Sequence, residues 1–179
     1  DELIQRVGEF YFGRTTSTVD ETLESQVAAK LLAQHLTLAV AESCTGGLIS
    51  SRLTDVAGSS AYTKLNIVSY ANAAKHEMLN VPAEIIATYG AVSEQVAIAM
   101  AEGVQALSGC DVGLGITGIA GPDGGSEDKP VGTAYIAIKV GDAAPEVHCL
   151  NVNPSYSRTR VKLWFSQYAL FYLLKRLSQ

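Results

Sequence analysis

Val40-Ala41-Glu42-Ser43-Cys44-Thr45-Gly46-Gly47 is the stretch where an apolar run over residues 36–41 gives way to small polar residues and glycine, ahead of a helical pattern over 48–56. The run has the length of a short buried strand. A strand that ends at the mouth of a helix sets the Ser43 and Thr45 hydroxyls and the Cys44 thiol beside unpaired backbone N–H groups and the positive end of a helix dipole. Such a turn suits a nucleophile, an oxyanion site or a phosphate. It equally suits a packing role, in which Ser43 or Thr45 caps the helix and the glycines permit close approach. The turn alone leaves both readings open.

Working outward, Leu23, Val27, Ala28, Leu31 and Leu32 recur at helical spacing upstream, with Asp20 or Thr18 as the expected cap. Downstream, Gly58-Ser59-Ser60 is a polar turn, 63–70 a strand and 72–79 a short helix carrying Lys75. Pro82 opens another helix and Gly90 ends it. Ser93 caps an amphipathic helix over 94–107, whose Val96, Met100, Val104 and Leu107 are expected to face the core before Gly109 stops it. Residues 111–119 read as a buried strand interrupted by glycine. Residues 132–140 and 146–152 form two strands joined through Gly141-Asp142, and 155–177 form a long closing helix. This alternation predicts an α/β fold, a three-layer α/β/α sandwich with a mixed sheet. Residues 1–19, with Phe10-Tyr11-Phe12, lack a core pattern and read as a linker or junction ahead of a domain over 20–179. The chain opens at Asp1, which predicts a piece cut from something longer.

With 179 residues, 47% of them hydrophobic, 16 glycines and 5 prolines, the chain has the makings of one domain with a sizeable core. A formal net charge of -5 without a basic block argues against a nucleic-acid partner held by phosphate neutralisation. Small anionic ligands stay open, because backbone amides and an arginine or two hold a phosphate locally. Cys44, Cys110 and Cys149 are odd in number and widely spaced, which predicts buried free thiols in a reducing cytoplasm. No run approaches ~18 apolar residues, and no basic leader precedes an apolar one. Neither a membrane span nor a signal peptide is expected.

As a nucleophile toward a carbonyl, Ser43 needs a base. His35 falls at a helix end, His76 on a short helix and His148 in an edge-like strand, so structural or solvent roles suit them better. A partly desolvated lysine with a lowered pKa is the alternative. Lys75 qualifies because Tyr70, at a strand end, and Asn72 lie just before it and could orient its ammonium. A surface lysine on a polar helix fits the same residues. Ser59 and Ser60 compete as nucleophiles in a Gly-Ser-Ser turn, and Cys44 competes as a thiol at a helix entry. Thr117-Gly118-Ile119-Ala120-Gly121-Pro122-Asp123-Gly124-Gly125 forms a second loop, open to close ligand approach and matching neither the phosphate loop nor the dinucleotide fingerprint. Its acidic rim, Asp123, Glu127 and Asp128, reads as solvated rather than metal-binding, and no metal or cofactor is expected.

Ala41 to Gly47, Gly58-Ser59-Ser60-Ala61, Tyr70-Ala71-Asn72-Ala73-Ala74-Lys75, Gly90-Ala91-Val92-Ser93, Ile116 to Gly125 and Pro130-Val131-Gly132-Thr133 together resemble the CinA C-terminal family. The resemblance covers residues 21 to about 178. It implies a nicotinamide mononucleotide deamidase, which hydrolyses the carboxamide to give nicotinic acid mononucleotide and ammonia. It places the family's catalytic serine, tyrosine and lysine on Ser43, Tyr70 and Lys75. The expected oxyanion groups are backbone N–H donors near Thr45 and Gly46, and Asn72, Thr117, Gly118 and Gly121 are expected around the nucleotide, with Arg158 as the cation for its phosphate. It also implies a homodimer and, ahead of the opening segment, an N-terminal domain of two-domain CinA proteins that this chain lacks. Two segments depart from the family pattern. Tyr156-Ser157-Arg158 stands where a Gly-Asp-Arg turn is usual, and Thr63, Lys64, Leu65 and Asn66 stand where an aromatic and a glycine are common. An amidase for another small amide, or a non-catalytic nucleotide-binding or dimerisation module, would keep the same frame.

Overall fold

The computed structural model describes residues 21–179, so the junction reading of 1–19 lies outside the described residues. Among the described residues, five strands form one mixed sheet. They are β1 (Leu38–Glu42), β2 (Thr63–Val68), β3 (Val112–Gly118), β4 (Thr133–Val140) and β5 (Glu146–Asn151). Their spatial order is β2-β1-β3-β4-β5, with β1 parallel to both neighbours and β4 antiparallel to β3 and β5. Among the described residues the helices are α1 (Leu23–Ala33), α2 (Leu48–Thr54), α3 (Asn72–Leu79), α4 (Ala83–Tyr89), α5 (Glu94–Ser108) and α6 (Arg158–Arg176), with a 3-10 turn at Ser59–Ala61.

Strand β1 shows how the layers divide. It is buried throughout, and its alternate side chains serve two cores. Leu38 and Val40 join Leu23, Leu31, Ile49 and Phe165 beneath α1, α2 and α6. Ala39 and Ala41 meet Leu79, Val96, Met100 and Val104 beneath α3 and α5. That is the expected α/β/α sandwich. The glycines in β3 have a packing cause. A Cβ on Gly113 would sit 2.2 Å from the Ala101 carbonyl oxygen, and one on Gly115 would sit 2.5 Å from that of Ala97. Helix α5 therefore rests directly on the β3 backbone.

Several local expectations shift. Helix α1 starts at Leu23 and its cap is Thr22, whose hydroxyl accepts from the Ser25 N–H, rather than Asp20 or Thr18. Leu32 and Leu107 are 46% and 55% exposed, so the apolar stripes of α1 and α5 are narrower than the periodicity suggests. Of the cysteines, Cys44 and Cys110 are buried but Cys149 is exposed on β5. Strand β2 stops at Val68; the Ser69 N–H still donates to the Glu42 carbonyl at 2.9 Å, and Tyr70 turns away beyond it. Helix α6 begins at Arg158 behind a Ser157 cap.

The chain runs from β1 to β2 on one side, then crosses to β3 on the other. The carboxyl end of β1 is therefore a topological switch point, where neighbouring loops part and leave a crevice. Ser43 is the residue immediately after it.

Candidate active site

Glu42, the last residue of β1, is fully buried and closes the Ser43 turn. Its carboxylate accepts from the N–H groups of Gly47 (2.9 Å), Ile49 (3.2 Å) and Ser50 (2.8 Å), and from the Ser50 hydroxyl. These are the orphan donors of the first turn of α2. The cap is thus a carboxylate from the preceding strand, not Ser43 or Thr45, and it occupies the helix end that the sequence offered to a ligand. The Gly46 N–H is also engaged, donating to the Ser43 carbonyl at 3.1 Å. A carboxylate as the last residue of an apolar strand was the signal for this role.

Lys75 stands opposite Ser43. It shares the inward face of α3 with Leu79 one turn later. Helix α3 lies close on α5 because position 103 is glycine, where a Cβ would meet the Leu79 carbonyl oxygen at 2.1 Å. Only 1% of Lys75 is exposed. Its Nζ lies 3.0 Å from Ser43 Oγ and donates to the carbonyls of Ser69 (2.8 Å) and Tyr70 (3.1 Å). No carboxylate is among these contacts. Loss of hydration disfavours the ammonium and lowers the Lys75 pKa from its ordinary value of 10.5. In the neutral amine, two hydrogens satisfy the two carbonyls and the lone pair remains for the serine hydroxyl. The arrangement can take a proton from Ser43 and give it back.

Burial acts the opposite way on Cys44, pushing its thiol up to about 12 and keeping it protonated and unreactive at neutral pH. Ser59 and Ser60 precede β2. Because Leu38 pairs with Thr63 in a parallel ladder, they sit at the amino edge of the sheet, away from Ser43. The histidines are also elsewhere. His76 Nδ1 lies 3.0 Å from the Val81 carbonyl, and His148 stacks on Tyr172 at 3.6 Å. Among the described residues, no three His, Cys, Asp or Glu side chains gather as a metal site.

A cleft of about 260 Å³ opens over Ser43 and Lys75, and Tyr70, Asn72, Thr117 and Arg158 also line it. Gly118 and Gly121 contribute their backbones to it. Thr117 is buried and donates to the Ala91 carbonyl at 2.8 Å, so it fixes one wall. Tyr70 reaches Lys75 through its main-chain carbonyl, while its phenol, 62% exposed with the rest of the side chain, accepts from Arg158 Nη2 at 2.9 Å. Arg158 Nη1 donates to the Gly121 carbonyl at 2.6 Å, so the guanidinium bridges two walls at the mouth. Thr45 and Gly46 fall outside this lining: Thr45 is fully buried, and Gly46 opens toward Lys162.

The family description "CinA C-terminal domain" matches residues 20–177. A protein of Moorella thermoacetica described as competence-damage inducible is 49% identical over 172 residues, covering 96% of this chain and 40% of its own length. A CinA-like protein of Syntrophus aciditrophicus is 52% identical over 160 residues, covering 89% of this chain and 37% of its own. The chain thus spans roughly two fifths of these curated relatives, 40% and 37% respectively. Among solved structures, the competence/damage inducible protein CihA of Agrobacterium tumefaciens superposes with a TM-score of 0.83 at 38% identity, over 92% of this chain and all of that one. A protein of the competence-damaged (CinA) superfamily from Escherichia coli superposes with a TM-score of 0.79 at 28% identity, over 94% of this chain and 98% of that one.

Proposed function

The chain belongs to the CinA C-terminal domain family, and we propose that it is an amidohydrolase that converts nicotinamide mononucleotide to nicotinic acid mononucleotide and ammonia. The observation that carries this reading is the 3.0 Å contact between Ser43 Oγ and a buried Lys75 amine that has no carboxylate partner among the described residues, at the mouth of a parallel-strand switch point. The substrate comes from the family resemblance.

Ser43 Oγ attacks the carboxamide carbon as Lys75 takes its proton. The tetrahedral intermediate collapses when Lys75 returns that proton to the leaving nitrogen, releasing ammonia and leaving an ester on Ser43. Water, deprotonated by the same amine, then cleaves the ester to the carboxylic acid and restores the serine. Tyr70 assists by holding the Lys75 amine with its carbonyl. With Gly46 committed to Ser43, the α2 donors committed to Glu42 and Thr45 outside the cleft lining, the oxyanion would draw on the facing glycine loop. Thr117, Gly118 and Gly121 shape the pocket beside Asn72, and Arg158 receives the phosphate. The setting this reading implies is a cytoplasmic homodimer, testable by light scattering. Among the described residues, no helix is long and apolar enough to cross a membrane.

The test is ammonia release from nicotinamide mononucleotide by the parent, Ser43→Ala and Lys75→Ala. Release by the parent and its loss in both variants is expected. Release that survives Ser43→Ala would overturn the nucleophile. No release from a folded parent that the mononucleotide nonetheless stabilises thermally would reassign the domain to nucleotide binding without turnover.

A further inference from the structure

Most polar side chains around the cleft are already engaged. Lys75 holds Ser43 and two carbonyls, Thr117 is tied to Ala91, and Tyr70 and Arg158 are tied to each other. Asp123 is different. It lines the same cleft, and among the described residues no hydrogen bond or ion pair engages its carboxylate. Asp123 is exposed at the rim of the cleft, where its two carboxylate oxygens are open to the hydroxyls of a bound ligand.

Its place in the loop narrows the choice of donor. Asp123 lies two residues beyond Gly121, whose carbonyl holds Arg158 at the cleft mouth, so their Cα atoms are within about 7 Å of each other. Ser43, 8% exposed, marks the floor. A nucleotide bound with its carboxamide on Ser43 and its phosphate toward Arg158 has its sugar between them, in the cleft whose wall Asp123 helps to line. A lone carboxylate suits two vicinal hydroxyls, each donating to one oxygen. Acidic residues read ribose in this way in nucleotide-binding α/β folds.

We infer that Asp123 is a specificity-determining residue that accepts from the ribose 2′- and 3′-hydroxyls, so that the site selects ribonucleotide amides over their deoxy counterparts. This rests on the nucleotide-amide reading above. Gly124, which follows it and lines the same cleft, adds no side chain there.

The experiment is calorimetric titration of the Ser43→Ala protein, which keeps substrate intact, with nicotinamide mononucleotide and with its 2′,3′-dideoxy analogue. The same titrations are repeated with Asp123→Ala added. Discrimination of about tenfold or more for the ribonucleotide is expected from hydrogen bonds to a charged acceptor. With Asp123→Ala the preference should fall below about threefold, while affinity for the dideoxy analogue is retained. Equal weakening toward both ligands, or an undiminished preference, overturns the assignment. Ammonia release by the parent without Asp123-dependent discrimination overturns this inference alone. Asp123-dependent discrimination without ammonia release overturns only the hydrolase reading. Binding of neither nucleotide overturns both.

Discussion

Replacing Glu42 by alanine removes the acceptor of three backbone N–H groups, those of Gly47, Ile49 and Ser50, and of the Ser50 hydroxyl. Each buried donor left without a partner costs about 1–3 kcal/mol, and the favourable charge at the start of α2 adds up to ~2 kcal/mol. These terms do not sum, because the vacated side-chain volume beside polar groups admits water. A net loss of about 3–5 kcal/mol is expected, the range for stranding partners of a buried charge. For a domain of this size, at about 2–4 °C per kcal/mol, that lowers Tm by about 6–20 °C. Glu42→Gln keeps one acceptor oxygen and turns a donor toward the remaining N–H groups, so it should lose roughly half as much. Urea unfolding followed by circular dichroism measures both. A Glu42→Ala loss under about 1 kcal/mol, the size of an ordinary substitution, would refute the idea that this carboxylate holds the turn that carries Ser43.

Three further outcomes rest on the same structure. Because the folded-state pKa of Lys75 lies below 10.5, the unfolded chain binds more protons between the two values. The parent should therefore gain stability relative to Lys75→Met as pH rises through that window, and a flat or falling difference in unfolding free energy would contradict it. Iodoacetamide followed by peptide mass spectrometry should label exposed Cys149 well before Cys44, whose thiol is raised to about 12, and Cys44→Ala should keep the parent's ammonia release within a few-fold. Gly115→Ala should cost about 3 kcal/mol or more in chemical unfolding, since its Cβ would meet the Ala97 carbonyl oxygen at 2.5 Å and the Ala101 nitrogen at 2.6 Å. A neutral result would mean that α5 is not seated as described.

The layered architecture was legible because it rests on periodicity. The strand before Ser43, the caps at Ser93 and Gly109, and the hairpin at Gly141 all follow from local chemistry. What was not legible depends on residues distant in sequence. Sequence leaves the closure of α2 open between a cap at Ser43 or Thr45 and a ligand, and neither holds, because Glu42 reaches over the turn to the Ile49 and Ser50 N–H groups, seven and eight positions ahead. Leu107 reads as core by spacing, yet it stands 55% exposed. The β3 glycines look like interruptions until α5 is laid across them. Around the cleft, sequence could name Lys75 and Tyr70 but not that the tyrosine carbonyl, rather than its phenol, holds the amine.

Two partly or wholly buried basic side chains in this molecule contrast in a way that supports the proposed reading of Lys75 as a base rather than a strut. Arg52 joins α1, α2 and α6: it pairs with Glu24 at 2.8 Å and donates to Ser166 and Gln167. Its charge is matched, and its fork of donors is spent on holding helices together. Lys75 is more deeply buried and, among the described residues, has no such match. Had a carboxylate stood in place of Ser69 or Tyr70, attraction would have favoured the ammonium and kept the proton on nitrogen. Two carbonyl dipoles instead orient the amine, and desolvation acts on its charge without opposition from a carboxylate. Keeping an amine buried for helix packing alone would be costly, since a leucine or methionine would fill the same space without the desolvation cost. In the proposed reaction the 3.0 Å line to Ser43 Oγ gives that cost a use, since an amine that has lost its proton stands ready to accept the serine's at the floor of a cleft.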